Sequence, residues 1–154
     1  MNTSTEVEIL LIEDNPRDAE LTQRALKAGN PAHSLIWVKD GAEALDFLFG
    51  PGHPANAKLH QRPKVILMDL KLPKIGGIEL LRRIKSDPAA KLIPVVVLTS
   101  SREKSDIATC YELGVNSYIV KPVDFDHFSH AIGQLGLYWL SVNQPPEPKR
   151  ISAA

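Results

Sequence analysis

The sequence has almost no cysteine, no net charge and no long apolar run. Its 154 residues include one cysteine, Cys110, so no disulfide can form within the chain. The 18 basic residues balance the 18 acidic ones, which argues against a general attraction to nucleic acid or to an anionic membrane. No apolar stretch approaches the roughly 18 residues of a membrane span, and the N-terminus shows no signal-peptide pattern. We therefore expect a cytoplasmic protein that binds neither nucleic acid nor membrane.

Short aliphatic runs predict the strands of the fold. Three of them, at residues 9–12, 65–68 and 95–98, contain no polar residue. Alternation of apolar and polar residues would indicate one solvated face, so its absence indicates strands covered on both faces, as in a parallel sheet between helices. Two weaker strands are predicted at 34–38 and 117–120.

Helical patterns lie between the strands. Pro16 begins the first helix, with Asn15 or Asp14 as its N-cap. The other helices are predicted at residues 41–49, 77–85, 105–113 and 124 to about 142. Regular alternation of strand and helix predicts one doubly wound α/β domain over residues 1–143, with five parallel strands and five helices. Residues 144–154, which contain three prolines, are predicted to form a disordered tail.

Four of the predicted strands are followed or ended by polar side chains. Glu13 and Asp14 follow the first strand, Asp69 the third and Lys121 the fifth, while Thr99 ends the fourth. Parallel strands bring their carboxyl ends to one edge of the sheet, where ligands bind in open α/β folds. We therefore expect these five side chains to converge on one pocket. Each has an ordinary structural explanation when taken alone, such as capping by the acidic pair, and the functional interpretation rests on the set.

The chemistry of this set favours phosphoryl transfer. Clustered carboxylates repel one another and require a cation or a proton. An all-oxygen ligand set favours Mg²⁺ over zinc. A hydroxyl and an ammonium group beside the cation suit phosphoryl oxygens, and Asp69, on the central strand, would be the nucleophile that accepts the phosphoryl group.

The same residues resemble the receiver domains of two-component response regulators, of the chemotaxis-regulator-like, stand-alone type. The resemblance covers residues from about 7 to 142. It rests on the acidic pair, the stretch 69–73 with the glycines that follow it, Thr99, and Lys121-Pro122. It implies the flavodoxin-like strand order 2-1-3-4-5 and a protein that accepts phosphoryl on itself and is not an enzyme.

The resemblance also implies a role for each residue of the pocket. Asp69 corresponds to the phosphoacceptor. Asp14, Asp69 and the backbone carbonyl of Lys71 correspond to the Mg²⁺ ligands, with Glu13 helping directly or through water. These roles make Mg²⁺ the expected cofactor.

Further roles fall on the fourth and fifth strands. Thr99 and Lys121 correspond to the groups that hold the phosphoryl oxygens. Thr99 and Tyr118 correspond to a switch that alters the surface of the fourth helix, fifth strand and fifth helix. Lys121-Pro122 resembles the cis-proline step of the family.

A narrower resemblance points to the small regulators that partner cyanobacterial and bacterial phytochromes. It rests on the long polar loop at residues 50–63, the stretches 86–101 and 111–122, and a last helix that ends in LYWL. It implies a histidine kinase partner of the phytochrome type and a downstream signalling protein.

The last helix leaves two interpretations open. Gly133 and Gly136 lie in its middle, and bare glycines let another backbone approach closely. The helix either frays before the tail or forms the seam of a homodimer. Spacing predicts that its sheet-facing residues are Phe125, Phe128, Ile132, Leu135, Trp139 and Val142, with Leu137 and Leu140 on other sides.

One competing function shares much of this chemistry. A Mg²⁺-dependent phosphatase of the haloacid-dehalogenase type also uses a strand-end aspartate with Thr and Lys. It needs a second acid two residues after the nucleophile to protonate the leaving group. Lys71 occupies that position, so the sequence favours the response-regulator interpretation.

Overall fold

The structure, a computed structural model, describes residues 7–29, 31–50 and 62–146. Most of the predicted tail and most of the long polar loop lie outside the described residues. Among the residues that are described, no helix is both long enough and apolar enough to cross a bilayer.

Five parallel strands form one sheet in the order β2-β1-β3-β4-β5, which confirms the predicted fold. The strands are β1 Ile9–Ile12, β2 Leu35–Val38, β3 Val65–Met68, β4 Val95–Thr99 and β5 Ser117–Val120. The three central strands are buried along their whole length, whereas the edge strands β2 and β5 are partly exposed. The unbroken apolar runs of the sequence are therefore the strands that have a neighbour on each side.

Helices cover both faces of the sheet. They are α1 Pro16–Gly29, α2 Gly41–Phe49, α3 Gly77–Ser86, α4 Lys104–Glu112 and α5 Phe125–Leu137. Leu10, Ile66 and Val97 pack into the core under α2, α3 and α4, and their strand neighbours Leu11 and Leu67 pack into the core under α1 and α5. Successive side chains of a strand point to opposite faces, so each central strand contributes to two apolar layers.

Asn15 caps α1, which resolves the choice between Asn15 and Asp14. Its side-chain oxygen accepts hydrogen bonds from the backbone N–H groups of Arg17 (2.9 Å) and Asp18 (3.1 Å). The acidic pair that precedes it is therefore not needed to cap the helix.

The two ends of the predicted last helix differ from the prediction. Phe125 and Val142 are exposed, while Leu140 is buried. Tyr138–Val142 forms a π-helical turn. Leu140 lies four residues after Gly136, which is also buried, so it continues the buried side of the helix. Phe125 opens the helix, and the buried positions begin at Phe128, one turn further on.

Gly136 serves packing within the chain. A Cβ at this position would lie 2.8 Å from Cδ2 of Leu26 on α1, whereas a Cβ at Gly133 would meet no atom within 4 Å. The close approach predicted for Gly136 is therefore made by α1 of the same molecule. A dimer seam would have to use other residues of α5.

The turn between β3 and α3 also depends on a close contact at a glycine. The backbone N–H of Gly77 donates to the carbonyl of Leu70 at 2.9 Å. A Cβ at Gly77 would lie 2.5 Å from Leu70 Cα and 2.6 Å from the carbonyl oxygen of Asp69. This contact folds the segment after Asp69 back against the end of its own strand.

Replacing Gly77 with alanine should lower the free energy of unfolding by about 1–3 kcal/mol, because the added methyl group meets backbone atoms that cannot move aside cheaply. The matched control is Gly76→Ala, where a Cβ would meet no atom within 4 Å, and its effect should stay within about 0.5 kcal/mol. Urea unfolding followed by circular dichroism measures both variants. Equal effects at the two positions would contradict the close packing of Gly77.

Candidate functional site

The carboxyl edge of the sheet brings together the acidic residues that the sequence singled out. Carboxylate oxygens of Glu13, Asp14 and Asp69 all lie within 4.8 Å of one another. β1 and β3 are paired with Ile12 opposite Met68, so the residues that follow these two strands are neighbours. Glu13 and Asp69 are buried, and Asp14 is exposed.

Lys121 bridges this cluster from the end of β5. Its ammonium donates to Glu13 Oε1 at 2.8 Å, Asp18 Oδ2 at 2.8 Å and Asp69 Oδ2 at 2.9 Å. Burial alone would lower the pKa of Lys121, but the three carboxylates outweigh it and raise the pKa above its usual value. Lys121 is therefore a permanent cation at the centre of the site.

Backbone contacts with the neighbouring strand fix Glu13. Its N–H donates to the carbonyl of Val38 at 3.1 Å, and the indole N–H of Trp37 donates to its carbonyl at 2.7 Å. Burial, together with the nearby charge of Asp69, raises the pKa of Glu13 to about 7, although Lys121 acts in the opposite direction. The ionised form of Glu13 is therefore costly unless a cation balances it.

The two oxygens of Asp69 have different partners. Oδ2 accepts the Lys121 ammonium, and Oδ1 accepts the backbone N–H of Lys71 at 3.2 Å. The backbone N–H of Asp69 donates to the carbonyl of Ile12 at 3.1 Å. Both oxygens of this carboxylate are therefore hydrogen-bonded at the carboxyl edge of the sheet.

Thr99, the fully buried end of β4, connects the site to the outer part of the domain. Its carbonyl accepts the backbone N–H of Lys121 at 2.7 Å, and its hydroxyl accepts the N–H of Ser101 at 3.3 Å. Tyr118, partly buried on β5, donates its hydroxyl to the carbonyl of Ser101 at 3.1 Å. The Ser101 hydroxyl donates to Asp106 on α4 at 2.6 Å.

Two parts of this arrangement differ from the sequence-based expectations. The described chain contains no cis peptide bond, so the Lys121-Pro122 bond is trans and the prediction of a cis bond is wrong. The trans form of such a bond is favoured by about 0.5–1 kcal/mol, and Lys121 reaches all three carboxylates with its backbone in that form.

Sequence reasoning also missed Asp18, which supplies the third carboxylate to Lys121. Asp18 lies in the first turn of α1, where the helix dipole already explains an acid. Its spacing from Asp14 carried no helical signal, because Asp14 precedes the Asn15 cap and lies outside the helix.

The donor set fits a hard divalent cation. The clustered ligands are carboxylate oxygens, with no histidine or cysteine among them, as Mg²⁺ and Mn²⁺ require. The doubly wound sheet, the acidic cluster, the Lys121 ammonium and the Thr99 hydroxyl at its carboxyl edge are the features expected of a receiver-type signalling domain.

Comparisons with known proteins agree with this class. The family model described as response regulator receiver domain matches residues 9–133. Response regulator Rcp1 of Synechocystis sp. is 41% identical over 132 residues, covering 86% of this chain and 88% of Rcp1. The chain belongs to the receiver-domain family and is a response regulator of two-component signalling.

Solved structures extend the similarity. The phosphorylated cyanobacterial phytochrome response regulator RcpA matches with a TM-score of 0.83 and 42% identity, covering 92% of this chain and 99% of RcpA. The bacteriophytochrome response regulator RtBRR matches with a TM-score of 0.69 and 48% identity, covering 92% of this chain and 85% of RtBRR. A Mn²⁺-bound form of Rcp1 matches with a TM-score of 0.81 and 40% identity, covering 90% of this chain and 97% of that one.

All of these relatives are described as response regulators. Their similarity across nearly the whole fold supports the response-regulator interpretation over the phosphatase alternative. The chemistry agrees, since Lys71 stands where the phosphatase would need its second acid.

The raised pKa of Glu13 predicts how metal-free stability depends on pH. Folding holds the pKa near 7 against an ordinary 4.5, so between these values the folded state binds more protons than the unfolded state and stability falls as pH rises. Glu13→Gln removes this dependence. The unfolding free energy of Glu13→Gln relative to wild type should therefore increase by about 3 kcal/mol between pH 4.5 and pH 8.

Urea unfolding in EDTA at several pH values measures this difference. Glu20→Gln is the matched control, because Glu20 is an exposed acid on α1 whose partner is Arg24. Its difference from wild type should stay flat across the same range. A flat difference for Glu13→Gln as well would refute a raised pKa for Glu13.

Proposed function

We propose that Asp69 accepts a phosphoryl group from a phosphohistidine of a partner kinase. The observation that carries the proposal is the position of its carboxylate, with Oδ2 bonded to Lys121 at 2.9 Å and Oδ1 to the backbone N–H of Lys71 at 3.2 Å. An oxygen of Asp69 forms a bond to phosphorus as the phosphorus–nitrogen bond breaks, and the electron pair of that bond leaves with the imidazole. Little more than positioning and charge balance is then required of the protein.

The residues around Asp69 divide this work. Glu13, Asp14, Asp69 and the carbonyl of Lys71 would hold Mg²⁺, which when bound neutralises charge on the transferring group. Lys121 contacts the phosphoryl oxygens with its ammonium, and Thr99 with its hydroxyl. We expect only slow autodephosphorylation.

The same contacts supply a route for the signal. Phosphorylation adds negative charge beside Thr99 and Lys121, and Thr99 moves towards it. The hydroxyl of Thr99 accepts the N–H of Ser101. Ser101 in turn is hydrogen-bonded to Tyr118 and to Asp106 in the first turn of α4. Movement of Thr99 thereby alters the surface formed by α4, β5 and α5, where a downstream protein reads the state.

A histidine kinase of the phytochrome type is the proposed phosphoryl donor. The support is the similarity to RcpA and RtBRR, both described as regulators that belong to phytochromes. We place the protein in the cytoplasm as one receiver domain over residues 1–143 followed by a short tail. The balanced charge of the chain agrees with protein partners as opposed to nucleic acid.

Incubation with acetyl phosphate and Mg²⁺ should add the mass of one phosphoryl group to the wild type, and EDTA should prevent the addition. Asp69→Asn should show none, because an amide cannot form the acyl phosphate. The matched control is Asp126→Asn, which removes an exposed acid from the first turn of α5 and should be modified like the wild type. Intact-protein mass spectrometry decides the matter. Modification of Asp69→Asn to the wild-type level would reject Asp69 as the acceptor.

We further propose that the protein forms a homodimer through the exposed side of α5 and the turn after it. Leu137 is 61% exposed, and Tyr138 and Val142 are also exposed. Contiguous exposed apolar side chains of this kind mark interaction surfaces. Gly136, by contrast, is occupied by Leu26 of the same chain.

Leu137→Ser should weaken the dimer about tenfold or more, since a central apolar contact is worth about 1–2 kcal/mol. Sedimentation velocity over a range of concentrations measures the change. Ile36→Thr is the control, because Ile36 is an exposed apolar residue on β2 at the opposite edge of the sheet. A wild type that stays monomeric at high concentration excludes the dimer.

A further inference from the structure

The ammonium of Lys121 has three N–H groups, and each has a carboxylate partner. Two of these partners, Glu13 and Asp69, also belong to the acidic set that would hold a cation. The third, Asp18, does not belong to that set, and it contacts Lys121 at 2.8 Å. Asp18 is therefore the one partner of the ammonium whose charge has no second task in the site.

The local structure keeps Asp18 in place. Its backbone N–H donates to the Asn15 cap at 3.1 Å, and its carbonyl accepts the hydroxyl of Thr22 at 2.8 Å. Its carboxylate reaches Lys121 from the first turn of α1. The side chain of Asp18 is 31% exposed, whereas that of Lys121 is 11% exposed.

We propose that Asp18 is a positioning residue that holds the Lys121 ammonium at the phosphorylation site. The inference rests on the proposed function and names a residue that acts through Lys121. Once Glu13 serves the cation and Asp69 carries the phosphoryl group, Asp18 is the carboxylate among the three that remains to anchor the ammonium. A lysine side chain is long and flexible, so an anchor raises the fraction of molecules in which it faces the phosphoryl oxygens.

A purely electrostatic role for Asp18 predicts the opposite result. A negative charge near the incoming phosphoryl group repels it, so removal of that charge alone should speed phosphorylation when Mg²⁺ is saturating. Loss of the anchor should slow it. The sign of the change therefore separates the two roles of Asp18.

The first test is made without metal and without phosphorylation. An amine-reactive acetylating reagent is applied to the protein in EDTA, and labelling of each lysine is quantified by peptide mass spectrometry. Labelling of Lys121 should rise severalfold in Asp18→Asn relative to exposed Lys39, because one of the three bonds that hold the ammonium is weakened. Glu20→Gln, the same change of charge on an exposed position of α1, should leave the labelling of Lys121 unchanged.

The second test is a double-mutant cycle on the phosphorylation rate with acetyl phosphate and saturating Mg²⁺. Asp18→Asn should slow the reaction about tenfold, in line with the loss of one charge-assisted hydrogen bond. In a Lys121→Gln background the same substitution should cause no further slowing, because the residue it positions is gone. Glu20→Gln should match the wild type.

The outcomes distinguish failure of phosphorylation from failure of the positioning role of Asp18. A wild type that accepts no phosphoryl group contradicts the proposed function. A wild type that is phosphorylated while Asp18→Asn reacts at an equal or faster rate overturns the positioning role and leaves the proposed function intact. Equal slowing with and without Lys121, or unchanged labelling of Lys121, also overturns it.

Discussion

The rest of the site depends on the balance between one lysine and the carboxylates that surround it. Glu13 and Asp69 are buried side by side at the end of neighbouring strands, where two negative charges repel strongly. Lys121, with its raised pKa, is the cation that offsets this repulsion in the protein itself. The balance is incomplete, since burial still raises the pKa of Glu13 to about 7. A further cation would stabilise this site by offsetting the remaining negative charge. The all-oxygen ligand set favours a hard divalent cation.

Strand register explains how residues so far apart in the sequence reach this balance. Ile12 pairs with Met68, so Glu13 and Asp69 follow at the same level of the sheet. Thr99 pairs with Val120, which places Lys121 one step beyond the end of β4. Because the side-chain period of a strand is two, a slip of one residue would turn these groups towards the wrong face. Burial of both faces of the central strands therefore fixes the geometry of the site as well as the fold.

The same reasoning explains what the sequence predicted and what it did not. The strands and their polar ends were predictable, because a strand buried on both faces leaves an unbroken apolar run and its end is marked by the next polar residue. Asp18 was not, because a helical acid has an ordinary electrostatic explanation and its contact with Lys121 arises only when α1 packs beside the sheet edge. Leu140 lies four residues after buried Gly136, and its burial was missed because a glycine adds nothing to an apolar pattern.

The connection between the site and the outer surface is short and directional. The backbone N–H of Lys121 bonds the carbonyl of Thr99, whose hydroxyl accepts the N–H of Ser101. Ser101 in turn accepts from Tyr118 through its carbonyl and donates to Asp106 through its hydroxyl. A buried threonine at the end of a fully buried strand has little freedom to move alone. In the proposed mechanism a shift of Thr99 must therefore be taken up by Ser101, and with it by Tyr118 and the first turn of α4, so the chemistry of one carboxylate reaches a surface that another protein can contact.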